Sequence, residues 1–375
     1  MSEPLAFRYL SQMNERNASD IYITVGRVPT IRVDDELYPL EDVPVDAEKV
    51  EEIISSILTT KQRRDFELNW DLNTSLDLND HGRYRINIFK QRQNPGLVIR
   101  RIISKIPAIR DLQLPPVLES LCLEKRGLIL LTGMTGSGKS TTLASMINHR
   151  NQRTSGHILT IEDPIEYYHE HNKSVITQRE VGVDTESYAV ALKNSLRQRP
   201  DVILIGEIRD KEVMDQALTI AETGHLCLAT LHTSNAYQAI ERIVNFFPED
   251  QQAQVRLNLS MNLKAIVAQR LLPNIKGGLA PALEVMLNEA LIRDLIIGGD
   301  YEKITDIMEQ NTVMGMQTFD QSLIRLYSEG LIDETTVIKQ ADKSSDMKVK
   351  LRQVKMTGRS GGLQNMDTSV LSISD

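Results

Sequence analysis

Short alternating runs dominate the first hundred positions. Residues 20–25 (Asp-Ile-Tyr-Ile-Thr-Val) and 30–33 (Thr-Ile-Arg-Val) place apolar side chains on every second residue, the period of a half-buried strand. Residues 47–58 change to helical spacing. Residues 75–78 and 83–89 read as the arms of a hairpin, with Asn79-Asp80-His81-Gly82 as its turn. The pattern predicts a small α+β domain over residues 1–105.

Pro107, Pro115 and Pro116 punctuate a linker at residues 106–117, after which the pattern changes. Between about residues 118 and 343, compact apolar runs at 127–132, 158–162, 202–206 and 226–232 alternate with helical segments. Such runs predict a mainly parallel sheet covered on both faces, with ligands beyond the carboxyl ends of its strands. Further on, Leu287, Leu291 and Leu295 recur every four residues and read as a core-packing stripe. Residues 344–375 read as a tail, basic at first (Lys348, Lys350, Arg352, Lys355) and then Ser/Gly-rich. It is expected to be disordered.

The first of these strands runs into Gly133-Met134-Thr135-Gly136-Ser137-Gly138-Lys139-Ser140, which fits G-x-x-x-x-G-K-[ST], and a helical segment follows. Strand, glycine loop and helix form the context in which backbone N–H groups and a helix N-terminus can cradle phosphates. Thr135, Gly136, Ser137, Gly138, Lys139, Ser140 and Thr141 are therefore the candidate nucleotide contacts. Lys139 is suited to the β- and γ-phosphates of a nucleotide, and Ser140 to Mg²⁺.

Other polar residues cluster at predicted strand ends. Glu162, Asp163 and Glu166 can be a solvated turn, or, beside a phosphate loop, can hold Mg²⁺ or orient water. Asp201 to Asp210 resembles a Walker B strand with Gly206 where many such enzymes carry aspartate. Glu207 is then the candidate that polarises the attacking water, although with Arg209 it can also be a surface charge cluster. His225 and His232 bracket the last strand. Seven apart, they cannot share a strand face, so a shared metal is not expected; His232 suits a γ-phosphate donor, and His225 has no assigned role.

Composition narrows the class. The chain has 375 residues, 41% hydrophobic and 25% charged, with a net charge of −8. That acidity is a poor basis for nucleic-acid binding, and no nucleic-acid partner is expected. Two cysteines far apart, with no C-x-x-C, suit reduced buried thiols and exclude a tetracysteine zinc site. No basic-then-apolar leader and no 18-residue apolar run appears, so the expected location is cytoplasmic, with membrane contact through partners.

Taken together and in order, Ala18-Ser19-Asp20, residues 83–87, the phosphate loop, residues 161–166, Gly206-Glu207-Ile208-Arg209-Asp210 and Thr223 to Thr233 resemble the secretion ATPase superfamily. Within it they are similar to the type IV pilus retraction ATPases of the PilT/PilU group, over about residues 5–335. The altered segment Ala290 to Ile296 and the extended C-terminus look more like the accessory, PilU-like branch. The resemblance implies a RecA-like P-loop ATPase domain preceded by a PAS-like α+β domain, assembled as a homo-hexamer. ATP would be held between the domains and completed by a neighbouring subunit. On the family pattern Glu207 is the catalytic glutamate, with Glu162 and His232 completing the site and Ser140, Glu162 and Asp163 near the metal. Arg83, Arg85 and Arg100 match its N-terminal arginines; an arginine fork can bind γ-phosphate oxygens bidentately, or be solvated. Implied partners are an inner-membrane pilus platform protein and a PilT-like ATPase. The implied function is ATP-driven pilus retraction; the alternatives are a secretion or DNA-uptake motor and a non-hydrolysing partner subunit.

Overall fold

A computed structural model describes residues 5–33, 36–78, 82–102 and 105–357. The chain divides into two compact units, Met1–Ile106 with Glu166–His169, and Pro107–Ile165 with Glu170–Asp375.

The first unit contains α1 (Leu5–Glu15), β1 (Asp20–Thr24), β2 (Thr30–Val33), β3 (Glu36–Pro39), α2 (Ala47–Ile57), α3 (Thr60–Asn69), β4 (Asp71–Leu78), β5 (Gly82–Gln91) and β6 (Asn94–Ile102). Its sheet runs β3-β2-β1-β6-β5-β4, with antiparallel neighbours throughout. Alternation decides its two faces. Tyr84, Ile86 and Ile88 of β5 are buried with Ile21, Ile23, Ile53 and Ile54, which sends Arg83 and Arg85 to the opposite face. The Asp46 side chain caps α2 by accepting from Lys49 N, and Thr59 with Gln62 forms a capping box on α3. The hairpin expected at residues 75–89 is the β4–β5 pair; Asn79, Asp80 and His81 of its turn lie outside the described residues.

The second unit begins with α4 (Val117–Leu121), β7 (Gly127–Thr132), α5 (Lys139–Arg153), β8 (Gly156–Glu162), β9 (Ser174–Glu180), α6 (Tyr188–Ser195), β10 (Val202–Ile205), α7 (Lys211–Glu222) and β11 (Leu226–Leu231). It continues with α8 (Ala236–Asn245), α9 (Glu249–Asn262), β12 (Leu263–Pro273), β13 (Leu279–Leu287), α10 (Ala290–Gly298), α11 (Ile304–Gln310), α12 (Phe319–Ser328), α13 (Glu334–Gln340) and α14 (Ser344–Thr357). The seven-stranded sheet runs β13-β12-β7-β11-β10-β8-β9; only the β12–β13 pair is antiparallel. Every residue of β7, β10 and β11 is buried, as central parallel strands require. One core lies on each face: Leu128, Leu130, Ile203 and Ile205 pack with α7 and α8, while Ile129, Leu131, Val202 and Leu204 pack with α5. The unit is α/β, with the expected four strands at the centre of its sheet.

Two expectations are corrected. Leu287 ends β13 and is not on α10 at all, and Leu291 is 58% exposed. The helix buries Ile292 and Ile296, while Leu287 and Leu295 of the expected stripe are half-buried and pack against the same core. The tail expected to be disordered begins with helix α14, because Met347, Leu351 and Val354 lie on one helical face and bury against the cluster of Phe319, Leu323, Tyr327 and Val337. Two of its lysines are engaged at the surface: Lys350 pairs with Glu309 at 2.7 Å and Lys355 with Glu334 at 2.6 Å. Residues 358–375 lie outside the described residues.

Candidate active site

The second unit gathers its candidate residues at the carboxyl edge of the parallel sheet. β7 ends at Thr132, and the chain turns through Gly133, Gly136 and Gly138 at φ of +149°, +78° and +86° before α5 begins. A Cβ on Gly133 would strike the Gln269 carbonyl oxygen and lie 2.5 Å from Ser137 Oγ; one on Gly138 would lie 2.8 Å from Gln269 Nε2. Glycine is therefore required at both positions by the β12 residue beneath the loop. Gln269 is itself fixed, because its Oε1 accepts from Thr142 Oγ1 at 2.8 Å. Lys139 Nζ donates to the carbonyls of Gly133 and Met134 at 2.7 and 3.0 Å, which centres the ammonium within the loop. Ser137 Oγ is buried without a hydrogen-bond partner. An orphan hydroxyl and a centred ammonium in a cradle of glycines fit a phosphate chain.

Across the sheet, three segments far apart in sequence meet. Glu207 follows β10, and its Oε1 lies 3.0 Å from Nε2 of His232, just past β11. Its Oε2 accepts from Arg209 Nε at 2.9 Å, and Arg209 also reaches Asp163 Oδ2, beyond β8, at 3.3 Å. Parallel register explains the convergence: β8, β10 and β11 are neighbours, so residues just past their carboxyl ends become one cluster. Glu162 lies at the end of β8, its Oε1 accepting from Thr160 Oγ1 at 2.6 Å and Gln178 Nε2 at 3.3 Å. Asp210 has a structural task, capping α7 by accepting from Val213 N at 2.9 Å. His225 sits at the other end of β11, its Nδ1 3.1 Å from Thr223 Oγ1, away from this cluster.

The glycine in place of a Walker B aspartate has a steric cause. A Cβ on Gly206 would lie 2.8 Å from the Tyr188 hydroxyl and 3.1 Å from Glu162 Cα. Tyr188, the first residue of α6, is nearly buried beside Asp163, Arg209, Glu162 and Glu207; burial and these carboxylates push its phenol well above its ordinary pKa. It stays neutral, a hydroxyl among the carboxylates. Sequence reasoning did not find Tyr188, Gln178 or Gln269, since only strand order brings them to the site. Thr132 was visible only as the end of a strand, yet its Oγ1 donates to Thr233 O at 2.7 Å and ties the phosphate loop's strand to the segment after His232.

The remaining candidates lie in the first unit. Arg100 faces Arg85 across β5–β6 and Asp20 across β1–β6. Two like charges opposite each other need a counter-charge. Asp20 provides it, at 2.8 Å from Arg100 Nε, and holds the guanidinium firmly charged. The Arg83 guanidinium lies 5.6 Å from the ring centroid of Tyr168, a cation–π distance.

Among the described residues, no three His, Cys, Asp or Glu form a metal-holding cluster. A cavity of about 310 Å³ beside Thr141 is lined by Asp111, Leu112, Leu271 and Asn274, and another of about 320 Å³ is lined by Gly133, Thr135, Ser234 and Arg270.

The chain as a whole is similar to known proteins. The family model described as type II/IV secretion system protein matches residues 2–293. The chain belongs to that family. It is 47% identical over 346 residues to the type IV pilus ATPase PilU of Pseudomonas aeruginosa, covering 92% of this chain and 91% of that one. It is 40% identical to the pilus retraction ATPase PilT of the same organism, over 87% of this chain and 95% of that one. Among solved structures, the pilus retraction motor PilT with bound ADP superposes with a TM-score of 0.86 at 42% identity, over 91% of this chain and 98% of that one. The Legionella pneumophila ATPase DotB gives 0.76 at 25% identity, over 92% and 95%. Family membership makes the second unit a RecA-like P-loop ATPase domain of the secretion ATPase fold. No helix among the described residues is long and apolar enough to cross a membrane.

Proposed function

We propose that this chain is a ring-forming motor that hydrolyses ATP to power type IV pilus retraction, acting as an accessory, PilU-like motor beside a PilT-like ATPase. The observation that carries the reading is the linked set Asp163–Arg209–Glu207–His232 at the same sheet edge as the glycine loop. Thr135 to Thr141 hold the phosphates of ATP: Lys139 contacts the β- and γ-phosphates, the loop amides fill in the remaining oxygens, and the cavity beside Thr141 receives the nucleoside end. Ser140, Glu162 and Asp163 would hold Mg²⁺, which would neutralise phosphate charge when bound. Glu207, oriented by Arg209 and His232, accepts a proton from the attacking water, and His232 senses the γ-phosphate.

Arg83, Arg85 and Arg100, on the first unit's non-core face, complete a neighbouring subunit's site, which makes hydrolysis depend on ring closure. The assembly is a homo-hexamer with a PAS-like first unit, working at the cytoplasmic face of the inner membrane against a platform protein. Ring closure converts phosphate contacts into domain rotation, which the pilus base turns into pilin removal.

Retraction measured in cells with and without a PilT-like partner tests the reading. Cells carrying only this motor are expected not to retract, and adding it to cells with the partner is expected to strengthen retraction. Full retraction by this motor alone would make it a principal motor. No effect in either background would favour the secretion or DNA-uptake alternative.

A further inference from the structure

Glu284 is the most conspicuous charged group that the proposed chemistry does not use. It lies on β13, 3% exposed, opposite Ala268 of β12. Its Oε1 accepts from the backbone N–H of Ala236 at 2.7 Å, and the Phe319 amide faces the same carboxylate. Ala236 and Phe319 are the first residues of α8 and α12, so one carboxylate serves two helix starts. Helix starts carry unpaired N–H groups and partial positive charge, which is the reason an acid fits there.

The connection to the site runs through four residues. His232 touches Glu207; Thr233 is pinned to Thr132, its N–H donating to Thr132 Oγ1 at 3.0 Å; Asn235 caps α8; and Ala236 is held by Glu284. The stretch that follows His232 is thus pinned at Thr233 by the strand that enters the phosphate loop and at Ala236 by Glu284. The second helix tied to Glu284 belongs to the C-terminal layer. There Val285 N donates to Gln317 O at 2.8 Å, and Leu283 N donates to Ser322 Oγ at 3.1 Å. The charged groups nearest the carboxylate are Arg270 of β12 and Asp342 after α13, which pair with each other at 3.2 Å.

We propose that Glu284 is a positioning residue for ATP hydrolysis: by anchoring the start of α8 it sets His232 against Glu207, and it couples that contact to the C-terminal helices. The proposal rests on the reading of Glu207 as the group that activates water. An anchor of this kind acts on the chemical step, since its loss lets His232 drift while the phosphate loop keeps its own contacts.

The test uses the full chain with Glu284→Leu, which fills the space but accepts no hydrogen bond, Glu284→Gln, which keeps one acceptor, and Glu207→Gln. Phosphate release, ADP affinity and melting temperature are measured for each. Expected are a roughly 10-fold or greater loss of kcat in Glu284→Leu with ADP affinity within about threefold, and recovery to within about threefold of the parent in Glu284→Gln. Adding Glu284→Leu to Glu207→Gln is expected to cost little more, because both act through one contact. Wild-type kcat in Glu284→Leu, alongside an inactive Glu207→Gln, would overturn the positioning role alone. Parallel loss of kcat, ADP affinity and melting temperature in both Glu284 variants would also overturn it, in favour of a purely structural role. Wild-type turnover in Glu207→Gln would overturn the underlying reading of the site.

Discussion

Buried carboxylates are costly unless they are protonated or well paired, and Glu284 shows how that cost follows pH. Burial raises its pKa from 4.5 to about 7, with Asp342 adding to the shift and the Ala236 and Phe319 amides and Arg270 opposing it. The folded state therefore binds a proton more tightly than the unfolded one. Glu284's favourable contribution is fully present below about pH 4.5 and is lost as pH rises through about 7. Between pH 5 and pH 8 the stability difference should shift in favour of Glu284→Gln by on the order of 1–3 kcal/mol, read from denaturant midpoints. A constant difference across that range would contradict the assignment. Gly206 makes a second residue-scale case: in Gly206→Ala the new methyl meets the Tyr188 hydroxyl at 2.8 Å, so turnover should fall. Tyr188→Phe in the same chain should restore part of it by removing the clashing oxygen. No recovery would place the strain at Glu162 Cα instead.

Among elements, α10 separates packing from transmission. Ile292 and Ile296 are fully buried, so Ile292→Ala should cost about 2–5 kcal/mol, while Leu291→Ala, at an exposed position, should cost well under 1 kcal/mol. Thermal melts would distinguish the two, and equal costs would contradict the observed helix face. Arg293 donates to the carbonyl of Asn288 at 3.1 Å and Asp294 is exposed, so Arg293→Ala with Asp294→Ala should fold and hydrolyse ATP. If α10 transmits motion to the pilus machinery, that double variant abolishes retraction while phosphate release persists; wild-type retraction would show that it transmits nothing.

Sequence pattern made some elements plain and hid others for physical reasons. β7, β10 and β11 were legible because strands buried on both faces must be apolar throughout. α14 carried a readable signal in the spacing of Met347, Leu351 and Val354, which the lysines between them masked. The α10 stripe was right for Leu287 and Leu295, which pack on the core, and wrong for Leu291, because it ran across a strand–helix boundary at Leu287, where the period changes from 2 to 3.6. The phosphate loop and Glu207 were legible as local motifs. Tyr188 and Gln269 were not, because their role depends on which strands lie side by side.

At the scale of the whole molecule, the phosphate loop belongs to one compact unit and the candidate arginines to the other. If these arginines act across subunits, mixing Arg83→Ala, Arg85→Ala or Arg100→Ala chains with Lys139→Ala chains should restore some competent sites, and phosphate release should exceed that of either variant alone. No rescue at any ratio would favour action within one chain or a purely local role such as the Arg100–Asp20 pair. The central claim, that this chain is a hydrolysing motor with Glu207 activating water, is tested most directly by nucleotide titration and phosphate release on Lys139→Ala and Glu207→Gln side by side. Lys139→Ala is expected to lose nucleotide affinity, whereas Glu207→Gln should bind ATP nearly as the parent does and turn over on the order of 100-fold more slowly. Wild-type phosphate release from Glu207→Gln would contradict the account.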